Sequence, residues 1–446
     1  MKLCIIASGD YFSSYGGGQV YVKNLVIGLS ERGHDLHIVS IRTSPSFDDL
    51  SIELMHQDNI TIHQITLSSQ SIDFNRPYEL QPFVLNALKN VLSEITPDLV
   101  HAHGWKYATS QVSKTLNIPC IITAHHGGIV CPSGSLLNQD DKICNLNVSA
   151  ENCTACALHF VPGGDFWSQI VRHLPYEVAQ NIAKKLKNIR NIPYISPAFQ
   201  IPLGITHKLR QIDALPQSEV NIIAPSRAIA GTLFRNGIVQ ERIRIIPHGI
   251  TPLNHLPLEP FIDNRPIRFG YIGRISYVKG LHVLIDALNL LPNNGNYELH
   301  IYGDAATKDE KRYARKLKEK SQNLPIIWHG KIANDQIEHA YHSFDIMVHP
   351  TICLEIFGLT LLESLSAGRP VIATRCGGPE DFVQDGIDGI LVEPNDAQSL
   401  SRALQKCILH PEYVQKLSST IRSINTLENH INEIEKVYQS KGQIND

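Results

Sequence analysis

The sequence predicts an α/β protein built from two doubly wound halves. Three observations predict it. Short apolar runs alternate with amphipathic helical stretches along the chain. Several of those runs are continuously apolar, as in parallel strands covered on both faces. A stretch at 247–266 carries five prolines and divides the alternation in two, reading as a linker of restricted flexibility. The 446 residues are 43% hydrophobic and 19% charged, which excludes a disordered or fibrous chain and allows two full cores.

In the first half the predicted strands are 3–7, 35–40, 99–103, 120–124, 221–224 and 244–246. Between the first two, Val22, Leu25, Val26 and Leu29 form one helical stripe, with Gly33 as its C-cap. In the second half the predicted strands are 267–272, 298–302, 326–329, 346–349, 371–374 and 389–392, with helical segments in every gap. The predicted domains are 1–250 with an insertion around 126–200, then 251–425, then a helix over 426–446 that crosses back to the first domain. Ligands of doubly wound sheets bind beyond the C-terminal ends of strands, so residues that follow strands are the candidates for chemistry.

Gly16, Gly17 and Gly18 follow the first strand and precede a helix. Glycines there let backbone approach a ligand, and the helix start favours an anion. A flexible turn explains the same residues. After 267–272 come Gly273, Arg274, Lys279 and Gly280. Arg supplies a fork for phosphate oxygens and Lys a point charge, unless both are solvated surface cations. After 346–349, Glu355 and Glu363 stand eight residues apart around a helix start at Gly358 and Thr360. The helix start suits a phosphate, and the carboxylates suit hydroxyls on either side of it. A nucleotide sugar presents that order of groups; two unrelated surface glutamates are the plain alternative.

The run from Glu355 to Glu363 resembles the E-x7-E signature of retaining glycosyltransferases with the GT-B fold, in particular glycosyltransferase family 4. Gly273-Arg274, Lys279-Gly280, the stretch 364–374 and Gly377-Gly378-Pro379 match too. So do Gly16-Gly17, the segment DLVHAH at 98–103, Thr123-Ala124-His125, Pro225-Ser226 and 246–250 in the first half. The match is weakest over 40–95 and 126–200. The chain departs from the family pattern at His126 and His248.

The resemblance implies two facing Rossmann-like domains with a cleft between them, acceptor on the first and nucleoside-diphosphate sugar donor on the second. Arg274 and Lys279 would bind the diphosphate, Glu363 the ribose, and Glu355 the donor sugar near the reacting face. Gly273 and backbone of Phe357, Gly358, Leu359 and Thr360 would line the phosphate and sugar site. Gly16 and Gly17 would approach the phosphates, and His125 the donor sugar. The reaction would retain anomeric configuration without a catalytic metal, the hydroxyl acceptor (a glycan, a lipid-linked saccharide or a small molecule) attacking from the face of departure. Alternatives are a catalytically silent nucleotide-sugar-binding subunit and a GT-B epimerase.

Cys131, Cys144, Cys153 and Cys156 cluster in a polar stretch. Their C-x12-C-x8-C-x2-C spacing fits a structural tetrahedral zinc site; buried thiols, two disulfides or an iron–sulfur cluster are the alternatives. From Tyr176 to Arg190, an apolar stripe is flanked by Lys184, Lys185, Lys187 and Arg190. This reads as an interfacial helix for an anionic membrane or polyanionic acceptor, or as an ordinary surface helix. The short apolar start, the lack of a spanning segment and the net charge of -3 predict a cytoplasmic chain that does not bind nucleic acid and sits at most on a membrane face.

Overall fold

In a computed structural model the described residues are 1–7, 11, 17–44, 51–57, 59–68, 77–159, 195–217, 220–262, 265–292, 295–333 and 336–440, with six isolated residues between 166 and 185. The chain divides into two compact units. The first comprises Met1–Gly134, Asn145–Pro247 and Leu427–Asp446; the second comprises Ser135–Cys144 and His248–Thr426.

The first unit holds strands β1 (Lys2–Ile6), β2 (Asp35–Ser44), β3 (Ser51–Gln57), β4 (Ile60–Ser68), β5 (Leu99–Ala102), β6 (Cys120–Thr123), β7 (Asn221–Ala224) and β8 (Ile243–Ile245). They form one sheet in the order β3-β4-β2-β1-β5-β6-β7-β8, parallel except for the β3–β4 pair. Leu3, Ile5, Leu36, Ile38, Leu99 and Ile121 bury completely in it, as continuous apolar runs require. The helix Gly17–Glu31 covers the sheet with the stripe Val22, Leu25, Val26 and Leu29.

The last helix, Leu427–Gln439, belongs to this unit and packs Ile431, Ile434, Val437 and Tyr438 into the same core. Its polar side reaches the histidines of the sheet. Tyr438 Oη is 2.7 Å from His101 Nδ1, and Tyr21 Oη is 2.7 Å from His430 Nε2. His430 Nδ1 donates to the Pro247 carbonyl at 2.7 Å, so its Nε2 accepts from Tyr21.

The second unit holds β9 (Ile267–Ile272), β10 (Tyr297–Tyr302), β11 (Ile326–Gly330), β12 (Ile346–His349), β13 (Val371–Thr374) and β14 (Gly389–Val392). Its sheet runs β11-β10-β9-β12-β13-β14, all parallel. Phe269, Tyr297, Leu299, Ile346 and Ile372 fill its core with Leu284 and Leu288 of the helix Leu281–Asn289. The proline-rich stretch lies along this unit. Arg369 donates to the Leu256 carbonyl at 2.7 Å, and Arg265 grips the fully buried Asp345 at 2.8 and 3.0 Å. Burial alone would raise the Asp345 pKa; hydrogen bonds from Arg265 and Arg268 outweigh it and hold the carboxyl below its usual range.

The 126–200 insertion is shared between the units rather than carried by the first alone. Leu137 buries in the second core and bridges to Ile143, while Asp141 accepts a 2.7 Å hydrogen bond from Tyr277. The stretch from Tyr176 to Arg190 has only a few isolated described residues, so its expected helix falls outside them. Among the described residues no helix is long and apolar enough to cross a membrane.

Candidate functional site

The second unit gathers most of the sequence-derived candidates at the C-terminal ends of two neighbouring strands, β9 and β12. The loop after β9 carries Gly273 to Gly280, and the loop after β12 carries Pro350 to Gly358. Ile352 N–H donates to the Val278 carbonyl at 3.0 Å, which ties the loops together. Gly280 sits at φ +70°, and a Cβ there would fall 1.8 Å from the Pro350 carbonyl oxygen. Only glycine satisfies both the left-handed backbone and that approach.

This approach brings Lys279 Nζ to 2.5 Å from Glu355 Oε2. His349, the buried last residue of β12, places Nε2 3.1 Å from the same oxygen and 2.9 Å from Thr351 Oγ1. Burial alone would raise the Glu355 pKa, but Lys279 and His349 override it and hold the carboxyl far below its usual range. The lysine responds in kind: burial would lower its pKa, and Glu355 raises it instead. Glu355 is therefore a fixed anion and Lys279 a fixed cation at neutral pH. The backbone is pinned as well, since Glu355 N–H donates to the Cys376 carbonyl and its own carbonyl accepts from Gly378 N–H.

Beyond Glu355 the chain turns through Gly358, at φ +95°, into the helix Leu359–Ser366. The N–H groups of Leu359 and Thr360 lie in the first helical turn, where no carbonyl of the helix can accept them. Phe357 is buried against Phe382 and His248, at ring separations of 5.0 and 5.3 Å. Glu363, in the second turn, accepts a 2.6 Å hydrogen bond from Tyr341 Oη. Burial raises its pKa and that hydrogen bond opposes the rise. Ser276 Oγ, between Arg274 and Lys279 in sequence, is buried with no hydrogen-bond partner among the described residues.

Arg274 follows Gly273 but turns its exposed guanidinium to Glu310, 3.2 Å away at the start of the helix Lys308–Lys320. It is thus held in an ion pair outside the Lys279–Glu355 contact. Gly273 N–H donates to the Tyr302 carbonyl at 3.0 Å, continuing the sheet edge into the loop.

His125 and Gly17 belong to the first unit. His125 Nε2 is 2.6 Å from His103 Nδ1 and its ring lies 4.6 Å from that of Tyr21. Gly17 opens the helix Gly17–Glu31, and Gly16 lies outside the described residues. The four clustered cysteines are free thiols, Cys144 in the second unit and Cys131, Cys153 and Cys156 in the first. Among the described residues no group of three or more His, Cys, Asp or Glu side chains is placed to hold a metal ion.

Three partners of the cradle escaped the sequence reading. His349 ends a strand and could have been found from that position. Tyr341 and Glu310 lie on helices whose sequences show ordinary amphipathic patterns and give no sign of their partners.

Two family models match the chain: Glycosyl transferases group 1 over residues 258–423, and Glycosyltransferase Family 4 over residues 15–140. The chain belongs to the GT-B glycosyltransferases. It is 26% identical over 279 residues to the lipopolysaccharide 1,2-N-acetylglucosaminetransferase of Salmonella typhimurium, spanning 59% of this chain and 70% of that one. It is 22% identical over 450 residues to the mannosylfructose-phosphate synthase of Agrobacterium fabrum, covering 94% and 86%. The Anabaena protein HepE, solved with UDP and glucose, shares its fold at a TM-score of 0.65 and 17% identity, covering 99% of this chain and all of that one. In this glycosyltransferase the two glutamates spaced as E-x7-E, Glu355 and Glu363, stand beside Lys279 and Tyr341 respectively.

Proposed function

We propose that the chain transfers a sugar from a nucleoside-diphosphate sugar to a hydroxyl acceptor with retention of anomeric configuration. The observation that carries this reading is the Lys279–Glu355 pair set beside the start of the helix Leu359–Ser366, with Glu363 one turn further in. As the glycosidic bond breaks, the diphosphate gains negative charge. Lys279 and the first-turn N–H groups stabilise that charge, and Arg274 joins them by leaving Glu310. Glu363 accepts hydrogen bonds from the ribose hydroxyls. Glu355, held as an anion, accepts from hydroxyls of the donor sugar while Lys279 bridges it to the phosphate. Retention, the donor-binding role of these residues and the contribution of His125 and Gly17 rest on the family resemblance.

A panel of UDP, GDP and ADP sugars, assayed for nucleoside-diphosphate release with and without saccharide acceptors, tests the reading. One donor should be consumed faster with acceptor than without, and NMR of the product should show the donor's anomeric configuration. Binding without turnover of any donor would favour a silent subunit; an inverted product would remove the mechanism. We further propose a structural zinc ion on Cys131, Cys144, Cys153 and Cys156, supported by their spacing alone. Elemental analysis should then give about one zinc per chain. Metal-free protein with four titratable thiols would end that proposal.

A further inference from the structure

The first unit contains a pocket of about 900 Å³ beyond the C-terminal ends of β5 and β6. The helix Lys106–Leu116 forms one wall and the helix Ile195–Gln217 another, while Pro132, Ser133 and Ala157 close it from the cysteine-bearing segment. Its Lys, Arg, Asp and Glu side chains are two lysines and one glutamate, set beside the neutral polar groups of Ser133 and Gln211 and the rings of His126 and His207. Lys106 is buried, and its ammonium donates to the His103 carbonyl at 2.6 Å. Lys208 donates to Tyr107 Oη at 2.8 Å, and Tyr107 Oη in turn donates to the Ile129 carbonyl. Glu79 accepts the Tyr107 backbone N–H at 3.1 Å at the start of the helix Lys106–Leu116; burial raises its pKa, and Lys106 and that N–H oppose the rise.

Two ammonium groups against one carboxylate leave the pocket with a surplus positive charge. Each ammonium has three N–H donors and makes one hydrogen bond to described residues. Burial pushes the Lys106 pKa down to about 8, and burial likewise lowers that of Lys208; an incoming anion would reverse both. The rest of the lining includes aromatic surface. Tyr78 and Trp105 stand 5.9 Å apart, suited to the C–H faces of a sugar ring. Trp105 holds a left-handed backbone at φ +48°, fixed by a Thr109 Oγ1 hydrogen bond to its carbonyl. Such strain in a non-glycine residue concentrates where a side chain must point into a site.

We infer that this pocket binds an anionic saccharide, a sugar bearing a phosphate or carboxylate, with Lys106 and Lys208 on the anion and Tyr78 and Trp105 on the ring. Its role as the acceptor site rests on the transferase reading; binding does not. Calorimetric titration of the full chain, with excess UDP and GDP present to occupy the diphosphate cradle, tests it. Glucose 6-phosphate or glucuronate should bind about tenfold or more tightly than glucose, as loss of a charge-assisted hydrogen bond implies. The better of the two identifies the anion. Lys208→Gln should abolish the preference and Lys208→Arg should keep it, with circular dichroism showing both variants folded. Equal affinity for glucose and its 6-phosphate, or an unchanged preference in Lys208→Gln, would overturn the inference, as would no binding of any of the three sugars. Anionic-sugar binding without release of nucleoside diphosphate from any donor would leave the pocket standing and remove the transferase reading.

Discussion

The cradle of the second unit and the pocket of the first are built by different means. The cradle is set by backbone. Two loops leave adjacent parallel strands, cross at Gly280 and Pro350, and bring Lys279 onto Glu355 within contiguous stretches of chain. The pocket is set by side chains. Glu79, Lys106 and Lys208 come from three segments up to 129 residues apart and meet only because helices pack. Charge is handled differently too: the cradle matches its lysine to a carboxylate, whereas the pocket leaves a lysine in surplus. A backbone-built site should therefore respond sharply to single substitutions, and a side-chain-built site should respond to the charge of its ligand.

The largest effect should follow removal of the cradle's cation. Lys279→Ala should lower kcat by roughly 100- to 1000-fold, the cost of losing one donor to a developing anion, about 2.7–4 kcal/mol. Steady-state kinetics on folded protein measures it. Next comes the crossing itself. Gly280→Ala combines a left-handed backbone with a Cβ 1.8 Å from the Pro350 oxygen, and should destabilise the chain by about 2 kcal/mol or more in chemical denaturation. A change of that size at Gly204, which lines the pocket with open space beside it, would break the contrast.

The first unit should instead show its character in acid. Burial pushes the His101 pKa down to about 3 and that of His430 to about 4, against an ordinary value near 6.5. Between those limits the unfolded chain binds a proton at each site and the folded chain does not. Stability contributed by keeping them neutral is present above about pH 6.5 and lost as pH falls toward 4, at about 1.4 kcal/mol per pH unit for each group. The unfolding midpoint should fall over that window, and more gently in His430→Gln. The smallest effect should come from Tyr341→Phe, which removes one hydrogen bond to Glu363. Donor KM should rise up to about tenfold with kcat little changed.

Legibility follows the same division. Strands β7, β9, β12, β13 and β14 lie on the residues their apolar runs predict, because a strand covered on both faces announces itself. Strands β3 and β4 went unread. In β4 the buried His63 and Gln64 interrupt the apolar alternation, and β3 exposes most of its residues at the sheet edge. Glu355, Lys279 and Glu363 were legible because glycines and a helix start flank them in sequence. Lys106, Lys208 and Glu79 were not, since a lysine on a helix carries no mark of where packing will bury it. The expectation for Arg274 needed the structure to show its engagement with Glu310.

The central claim is that the second unit's cradle holds a nucleoside diphosphate. Calorimetric titration of the full chain with UDP, GDP and ADP tests it most directly, comparing the parent with Glu363→Ala and Lys208→Gln. The account predicts one site per chain for one of the three nucleotides, weakened about tenfold or more by Glu363→Ala and unchanged by Lys208→Gln. No binding of any nucleotide, or equal binding by the parent and Glu363→Ala, would contradict it.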